Sequence, residues 1–431
     1  MKFIFSLIFC LILVTGYSQT PVSILFIGNS FTNGNSTIID NVNTGTLSIP
    51  YKFKQLAVTA GFIVDVEMYC PNGIYVYDYN GQTGHANRTE TATKINSKNW
   101  DYVFVQDNQG SYVWSEGYMP STVANANITL YNKIKANNAC TRVIYYAGQA
   151  LRGGLPSSYW NQGGLSLTYD NTQNCNTRVY KNVKYLNNQA GFNEIVTPVG
   201  LAWNKYISDG HSDSDLFLSD GSHPSNYGTY LAAAVVFSQV FKTNPVSINW
   251  NADLSISTAQ YLRQIAWEII NDVTIFQETH LSDYTPTITS SNNILTTSNS
   301  FSSFQWYQNL SVISGANSSS YSYNQSDFYQ VEVVDGNGCK FRSFNSYYDF
   351  STIIGNSKEN EQGIEYRNDK VIITNMSGGD FIIINMTGTI LSGKKIQEYQ
   401  HIELLDGFKA GTYILMAKYN KKIYKQKIII F

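Results

Sequence analysis

Charge is scarce in this chain. Lys and Arg number 29 and Asp and Glu 31, together 14% of 431 residues, where a soluble domain usually carries about 25%. The formal net charge is −2 and no long basic run occurs. Nothing therefore offers to neutralise a phosphate backbone by counterion release, which excludes nucleic acid as an expected partner. Long apolar runs are lacking as well. The run from Phe3 to Val14, broken by Ser6, falls well short of the roughly 20 residues that a membrane span requires, and no later segment supplies one. Cysteine is limited to 5 residues.

Aromatic residues are plentiful: Tyr 32, Phe 22 and Trp 7 make up 14% of the chain, with Asn, Ser and Thr filling many remaining polar positions. A surface that is polar without being charged suits all-β or α/β secreted proteins. The first residues read as an address. Lys2 gives a short positive start, the apolar run follows, and Gly16-Tyr17-Ser18 supplies small residues for cleavage near Ser18-Gln19. Residues 1–18 are thus expected to be a signal peptide. Cys10 lacks the small-residue box of a lipidated cysteine, so a soluble mature chain is expected. Four cysteines then remain, Cys70, Cys140, Cys175 and Cys339, among which a Cys140–Cys175 bridge is possible in an oxidising compartment.

At about 150 residues per domain the length suggests about three units. From Pro21 to about Gln277, short β-branched runs alternate with helical stretches. Strands are expected at Val22 to Ile27, Ile63 to Tyr69, Tyr102 to Gln106, Arg142 to Tyr146 and Glu194 to Val199. Helices are expected around Phe53 to Ala60, Thr122 to Asn137, Thr177 to Ala190, Tyr227 to Phe241 and Ser257 to Phe276. This rhythm predicts a three-layer α/β domain over 19–280, its parallel sheet covered on both faces. In such sheets the chemistry gathers in loops at the carboxyl ends of the strands. After Glu278 the texture turns to Ser, Thr, Asn and Tyr. Phe304-Gln305-Trp306-Tyr307 and Tyr329-Gln330-Val331-Glu332-Val333 alternate as half-buried strands, which predicts a small β-sandwich over 285–352. Its tryptophan, its tyrosine and the turn Asp335-Gly336-Asn337-Gly338 resemble immunoglobulin-like modules of bacterial surface proteins. Cys339 has no partner for the inter-sheet disulfide of antibody domains.

Two loops carry candidate chemistry. Ile24-Leu25-Phe26-Ile27-Gly28-Asn29-Ser30 is a buried strand that ends in a small residue and then a serine, which would lift the Ser30 hydroxyl onto the open face of the sheet. The alternative is a turn that cradles an anion; with no lysine following Gly28 and Gly34, a Walker-type loop is excluded. The second is Ser219-Asp220-Gly221-Ser222-His223-Pro224-Ser225. Asp220 and His223, three apart in a Gly/Pro-punctuated loop, can pair so that the carboxylate accepts the imidazole Nδ1–H and leaves Nε2 as a base; a capping Asp beside an incidental histidine is the plainer alternative. Serine after strand one, with Asp and His just before a late helix, completes a proton relay.

In the order of these blocks, Pro21 to Gln277 resembles the SGNH/GDSL hydrolase superfamily, in its GNSFT-type branch. The resemblance implies a flavodoxin-like parallel sheet, Ser30 as nucleophile, and Asp220 with His223 in the Asp-x-x-His block. It implies an oxyanion hole from the Ser30 N–H, the Gly73 N–H in Cys70-Pro71-Asn72-Gly73-Ile74, and the Asn108 amide in Val105-Gln106-Asp107-Asn108-Gln109, with Gln109 as fallback. Gln106 stands where that family carries glycine. At the other end, GTYILMAKYNKKIYKQKIII resembles the C-terminal sorting domain of the type IX secretion system of Bacteroidetes, without its Tyr-Pro-Asn-Pro opening. This implies a sorting β-domain over 360–431, a second small sandwich, and secretion or surface display with that machinery as a partner.

The expectation is a secreted serine esterase acting on ester or O-acyl groups, such as acetyl groups of glycans, with no cofactor and no metal. An inactive glycan-binding surface protein and a lipid acyl esterase are the alternatives. A histidine base implies activity that fades below about pH 6. Asp209, His211, Asp213 and Asp215 lack the spacing of calcium or zinc sites and are expected in a solvated loop. His85 and Arg88 are expected in a surface loop, and Trp114, Tyr118, Tyr159 and Trp160 in loops where aromatic rings either stack on sugars or pack locally. His280 and His401 are assigned no role.

Overall fold

The computed structural model describes residues 21–350, apart from 46 and 155–170, and residues 363–430, apart from 368–369, 375–378, 386–389, 397–399, 405–410 and 420–421. The expected signal segment, Tyr159 and Trp160 lie outside the described residues. The chain divides into two compact units, Met1–Ser351 and Thr352–Phe431.

The first unit is built on the sequence VSILFI. This strand, β1 (Val22–Ile27), is buried from its second residue on, so its side chains must find apolar partners on both faces. It is joined in parallel by β2 (Val64–Tyr69), β3 (Tyr102–Val105), β4 (Arg142–Tyr146) and β5 (Ile195–Thr197) in the order β2-β1-β3-β4-β5. Between the strands run α1 (Ser30–Asn33), α2 (Ile49–Thr59), α3 (Thr89–Ile95), α4 (Ser121–Asn137), α5 (Thr172–Gln189), α6 (Val199–Ser208), α7 (Asn226–Phe241), α8 (Ile256–Asn271) and α9 (Val273–Glu278). Period-two alternation sorts β1 between two cores. Ile24 and Phe26 face Phe53, Phe237 and Phe241 of α2 and α7. Leu25 and Ile27 face Val123, Leu130 and Ile134 of α4 and Val179, Val183 and Leu186 of α5. Each such side chain contributes about 1.5–3 kcal/mol relative to exposure. The three-layer α/β sandwich is the fold the sequence pattern leads one to expect. Every residue of α7 from Gly228 to Phe241 is buried, as a helix apolar all round must be.

The differences from expectation have local causes. The fifth strand stops at Thr197 because Pro198 opens α6, a helix the sequence pattern did not give. The last long helix breaks at Asp272, whose extended backbone (ψ 122°) ends α8 while its side chain accepts from Ile275 N–H to start α9. The helix expected from Thr177 begins earlier, at Thr172, capped by Asn171.

After Tyr284 come β6 (Thr289–Ser291), β7 (Ile294–Thr296), β8 (Ser303–Gln308), β9 (Ser311–Val312), β10 (Ser320–Ser322), β11 (Asp327–Val334), β12 (Lys340–Arg342) and β13 (Ser346–Tyr348). They form two antiparallel sheets, β10-β7-β6 and β12-β11-β8-β9, with β13 on β11. Trp306, Tyr329, Val331 and Val333 fill the space between them with Leu295. Here the disulfide expectation is corrected: Cys140 is bonded to Cys339, with 5.0 Å between their Cα atoms. Cys175 cannot serve, because it sits fully buried on the inner face of α5, whereas Cys140 lies in the turn before β4; neither Cys70 nor Cys175 forms a disulfide. Beside the bridge the Arg142 guanidinium lies over Tyr284 and Phe341, at 4.2 and 4.9 Å. Gln330 donates to the Phe241 carbonyl and Asn345 N–H to that of Lys242. The β module is thus fastened to the amino-terminal edge of the parallel sheet.

The second unit is all antiparallel: β14 (Gly363–Arg367), β15 (Lys370–Thr374) and β18 (Gln400–Leu404) in one sheet, β16 (Asp380–Asn385), β17 (Ile390–Lys395), β19 (Gly411–Tyr419) and β20 (Lys422–Ile430) in the other. Tyr413, Leu415 and Ala417 are buried on alternate positions of β19. Among the described residues no helix is long and apolar enough to cross a membrane.

The bridge closes a loop of 199 residues, so Cys339→Ser should lower unfolding stability by roughly 2–5 kcal/mol. In urea titrations a reductant should bring the wild type down to the variant's midpoint and leave the variant unmoved; a wild type indifferent to reductant would refute the pairing.

Candidate active site

β1 ends at Ile27, and the chain turns at once into a single helical turn. Asn29 caps it in an extended conformation, its Oδ1 accepting from Phe31 N–H at 3.1 Å. Gly34 leaves it at φ 76°, a left-handed conformation suited to glycine. Ser30 is therefore the first residue of a short helix at the carboxyl end of β1, an inner strand of the sheet, and is 8% exposed. Its N–H, like that of Gly73, donates to no other described residue.

The second loop is shaped by its own backbone. Leu218 N–H donates to His223 O and Gly221 N–H to Leu218 O, and Gly221 takes φ 65°. Asp220 Oδ1 accepts from the N–H groups of Ser222 and His223, both at 2.9 Å. Its Oδ2 accepts from His223 Nδ1 at 2.6 Å. Burial works against the Asp220 charge, but those two N–H groups and the ring outweigh it and hold the carboxyl below its usual range. With Nδ1–H on a carboxylate, Nε2 is the acceptor, and the Ser30 hydroxyl donates to it at 2.9 Å. Phe31 packs against the imidazole, ring centroids 5.2 Å apart. Ser225 then caps α7, accepting from Tyr227 and Gly228 N–H.

Ser30, His223 and Asp220 thus meet in one hydrogen-bonded chain. A serine whose proton already points at an imidazole nitrogen, with the other nitrogen on a carboxylate, can lose that proton as it attacks. Gly73 and Asn108 are brought to the same rim less directly. Asn29 Nδ2 donates to the Ile74 carbonyl at 3.0 Å, which ties the Gly73 loop to the serine turn. Asp107 Oδ1 accepts from Val76 N–H at 2.9 Å and Asn108 N–H at 2.8 Å, which ties that loop to the end of β3. Burial pushes the Asp107 carboxyl up to about 6, against the pull of those two N–H donors. The Asn108 side chain caps a short 3-10 helix through its Oδ1, accepting from Gly110 N–H, and its Nδ2 donates to no described residue. Gln109 is turned inward and lines a small cavity with Phe31, Gln106, Asp107, Tyr112 and Gln149.

Other sequence candidates separate. Asp209 accepts from Tyr261 and Lys205, Asp213 from Arg152 and Thr172, Asp215 from Tyr206, while His211 stacks on Tyr206. Among the described residues no group of three or more such side chains could hold a metal ion. Trp114 and Tyr118 meet edge to face at 5.9 Å in the loop after β3. His85 is a correction: it is not a surface residue but 1% exposed. Its Nε2 lies 2.8 Å from the Gly28 carbonyl and its Nδ1 2.8 Å from the Thr91 hydroxyl. A carbonyl only accepts, so Nε2 carries the hydrogen and Nδ1 accepts from Thr91. Neither this histidine nor Gln106 was assigned a place in the site from sequence; both depend on loop packing that leaves no local signature.

No protein-family model and no curated protein matches the chain. Solved structures do. A DUF4886 family protein from Bacteroides uniformis is 14% identical, with a TM-score of 0.44, over 58% of this chain and 95% of its own. A putative arylesterase from Agrobacterium tumefaciens is 13% identical, with a TM-score of 0.34, over 51% and 98%. A carbohydrate esterase family 3 protein from Talaromyces cellulolyticus is 14% identical, with a TM-score of 0.30, over 51% and 96%.

Burial lowers the His85 ring to about 4, with the Gly28 bond opposing and Arg88 adding to the effect. The unfolded chain takes up this proton below about 6.5 and the folded chain only near 4, so folding stability should fall with pH across that window, by about 3 kcal/mol in all. Urea unfolding between pH 7 and 4 should show a shallower loss in His85→Gln than in wild type; parallel curves would remove the assignment.

Proposed function

We propose that the protein is a serine esterase that hydrolyses ester or O-acyl groups through an acyl-enzyme. The observation that carries this reading is the unbroken hydrogen-bond chain from the Ser30 hydroxyl through His223 to Asp220 at the carboxyl edge of a parallel sheet, where such folds keep their ligands. In the reaction Ser30 Oγ attacks the ester carbonyl carbon as His223 Nε2 takes its proton. The tetrahedral oxyanion is received by the N–H groups of Ser30 and Gly73 and by Asn108 Nδ2. Collapse expels the alcohol, which leaves with the proton from His223. Water then attacks the acyl-enzyme, gives its proton to His223, and the acid departs as Ser30 regains its hydrogen. Asp220 holds the ring in the tautomer that both half-reactions need and stabilises the imidazolium between them.

A glycan-borne acyl group such as acetyl is the proposed substrate, supported by Trp114 and the 45%-exposed Tyr118, which suit stacking on a sugar ring. The proposed setting is extracellular, with residues 1–18 as signal peptide and 360–431 as the type IX sorting domain. The paired strands β19 and β20, which contain the Gly-x-Tyr and basic closing segments, support that reading.

Fluorophosphonate labelling and hydrolysis of phenyl acetate should both vanish in Ser30→Ala, and Asp220→Asn should lower kcat by about 10²–10⁴. Absence of Ser30-dependent labelling would instead point to a binding protein that has lost catalysis, and preference for long over short acyl chains to a lipid acyl esterase. Deleting residues 411–430 in a host with type IX machinery should trap the protein inside the cell envelope; unchanged surface delivery would discard the sorting assignment.

A further inference from the structure

A nucleophile is only as useful as the turn that aims it, and in this chain one side-chain oxygen accepts from two residues of that turn. Gln106 follows β3 and is 1% exposed. Its Oε1 accepts twice, from the Asn29 N–H at 2.9 Å and from the Thr32 hydroxyl at 2.8 Å. Its Nε2 donates to the carbonyl of Asp107, so the amide cannot flip without losing three bonds. The residue before Ser30 and the residue two after it therefore hang on a single oxygen from the neighbouring strand. That oxygen also explains Gly28: a Cβ there would come within 2.6 Å of Gln106 Oε1 and of Thr32 Oγ1. From the opposite side His85 Nε2–H holds the Gly28 carbonyl. The two residues before Ser30, Gly28 and Asn29, are thus held by two buried side chains.

Resting on the esterase reading, we propose that Gln106 is a positioning residue: through Asn29 and Thr32 its side-chain oxygen sets the turn that aims the Ser30 hydroxyl at His223. A glycine at this place, as in the family the sequence resembles, could supply no such side chain, so this chain builds part of its serine turn from the neighbouring strand. The Asn29 N–H is the vulnerable group. Asn29 is buried, and without the Gln106 oxygen its N–H loses the acceptor it has in the fold, a cost the turn relieves by rotating. A shift of about 1 Å at the reacting oxygen is enough to cost about 10²-fold in rate.

The experiment compares Gln106→Met, which keeps the volume and removes the acceptor, with Thr32→Val, Thr32→Ser and the double variant Gln106→Met/Thr32→Val. Steady-state hydrolysis of phenyl acetate and hydrogen exchange of the Asn29 amide are measured on the full chain. The expected result is a kcat lowered about 10–100-fold in Gln106→Met with KM within about threefold, a smaller loss in Thr32→Val, recovery in Thr32→Ser, and a double variant no worse than Gln106→Met alone. Exchange at Asn29 should quicken in Gln106→Met. A folded Gln106→Met with kcat within twofold of wild type, or a change confined to KM, overturns the proposal. Should Gln106→Met not fold, a Thr32→Val kcat equal to wild type overturns it. If the wild type shows no Ser30-dependent hydrolysis, the esterase reading has failed and the exchange measurement alone decides: unchanged Asn29 protection in Gln106→Met, or in Thr32→Val where that variant does not fold, overturns the clamp.

Discussion

A hydroxyl and an imidazole separated by 193 positions in sequence lie 2.9 Å apart, and the parallel sheet is what makes that contact affordable in entropy. Closing so long a loop is unfavourable, yet the closure is shared by every element between the two residues. β1 delivers Ser30 to the carboxyl edge because Ile24, Leu25, Phe26 and Ile27 are consumed by two cores at once. α7 delivers His223 because its buried shaft fixes where the helix starts, and the Asp220–Ser225 loop is wired to that start through Ser225. Each loop is held first by the apolar element it adjoins, and the two then meet through the Ser30–His223 bond and the packing of Phe31 on the imidazole.

The same helix accounts for the polarity of the first unit. Its amino end lies beside His223 and its carboxyl end, at Phe241 and Lys242, gives its carbonyls to Gln330 and Asn345 of the β module. The module is consequently seated at the strand beginnings, where Cys140, Arg142 and Tyr284 also gather, and the chemistry is seated at the strand ends. One buried helix spans the two.

What the sequence made legible was whatever depends on neighbours in sequence. The run VSILFI followed by Gly-Asn-Ser reads as strand and turn, and Asp220 with His223 sit three apart, so hydrophobic period and loop punctuation suffice to nominate them. Trp306 and the alternation around Val331 declared the small sandwich in the same way. The Cys140–Cys339 bridge joins residues 199 apart on two different modules, and nothing local distinguishes Cys140 from the buried Cys175. His85 sits in a Gly- and Asn-rich loop that reads as surface, because the Gly28 carbonyl and Thr91 hydroxyl that draw it inward come from separate elements. Gln106 read as a departure from a glycine pattern; only the fold gives it Asn29 and Thr32 as partners.

The seat of the β module has a practical reach. A fusion, crosslink or immobilising tag attached to that module grips the first unit at the strand beginnings, the opposite end of the parallel sheet from Ser30. The protein thereby offers a natural handle for oriented display, with a covalent bolt between handle and tool.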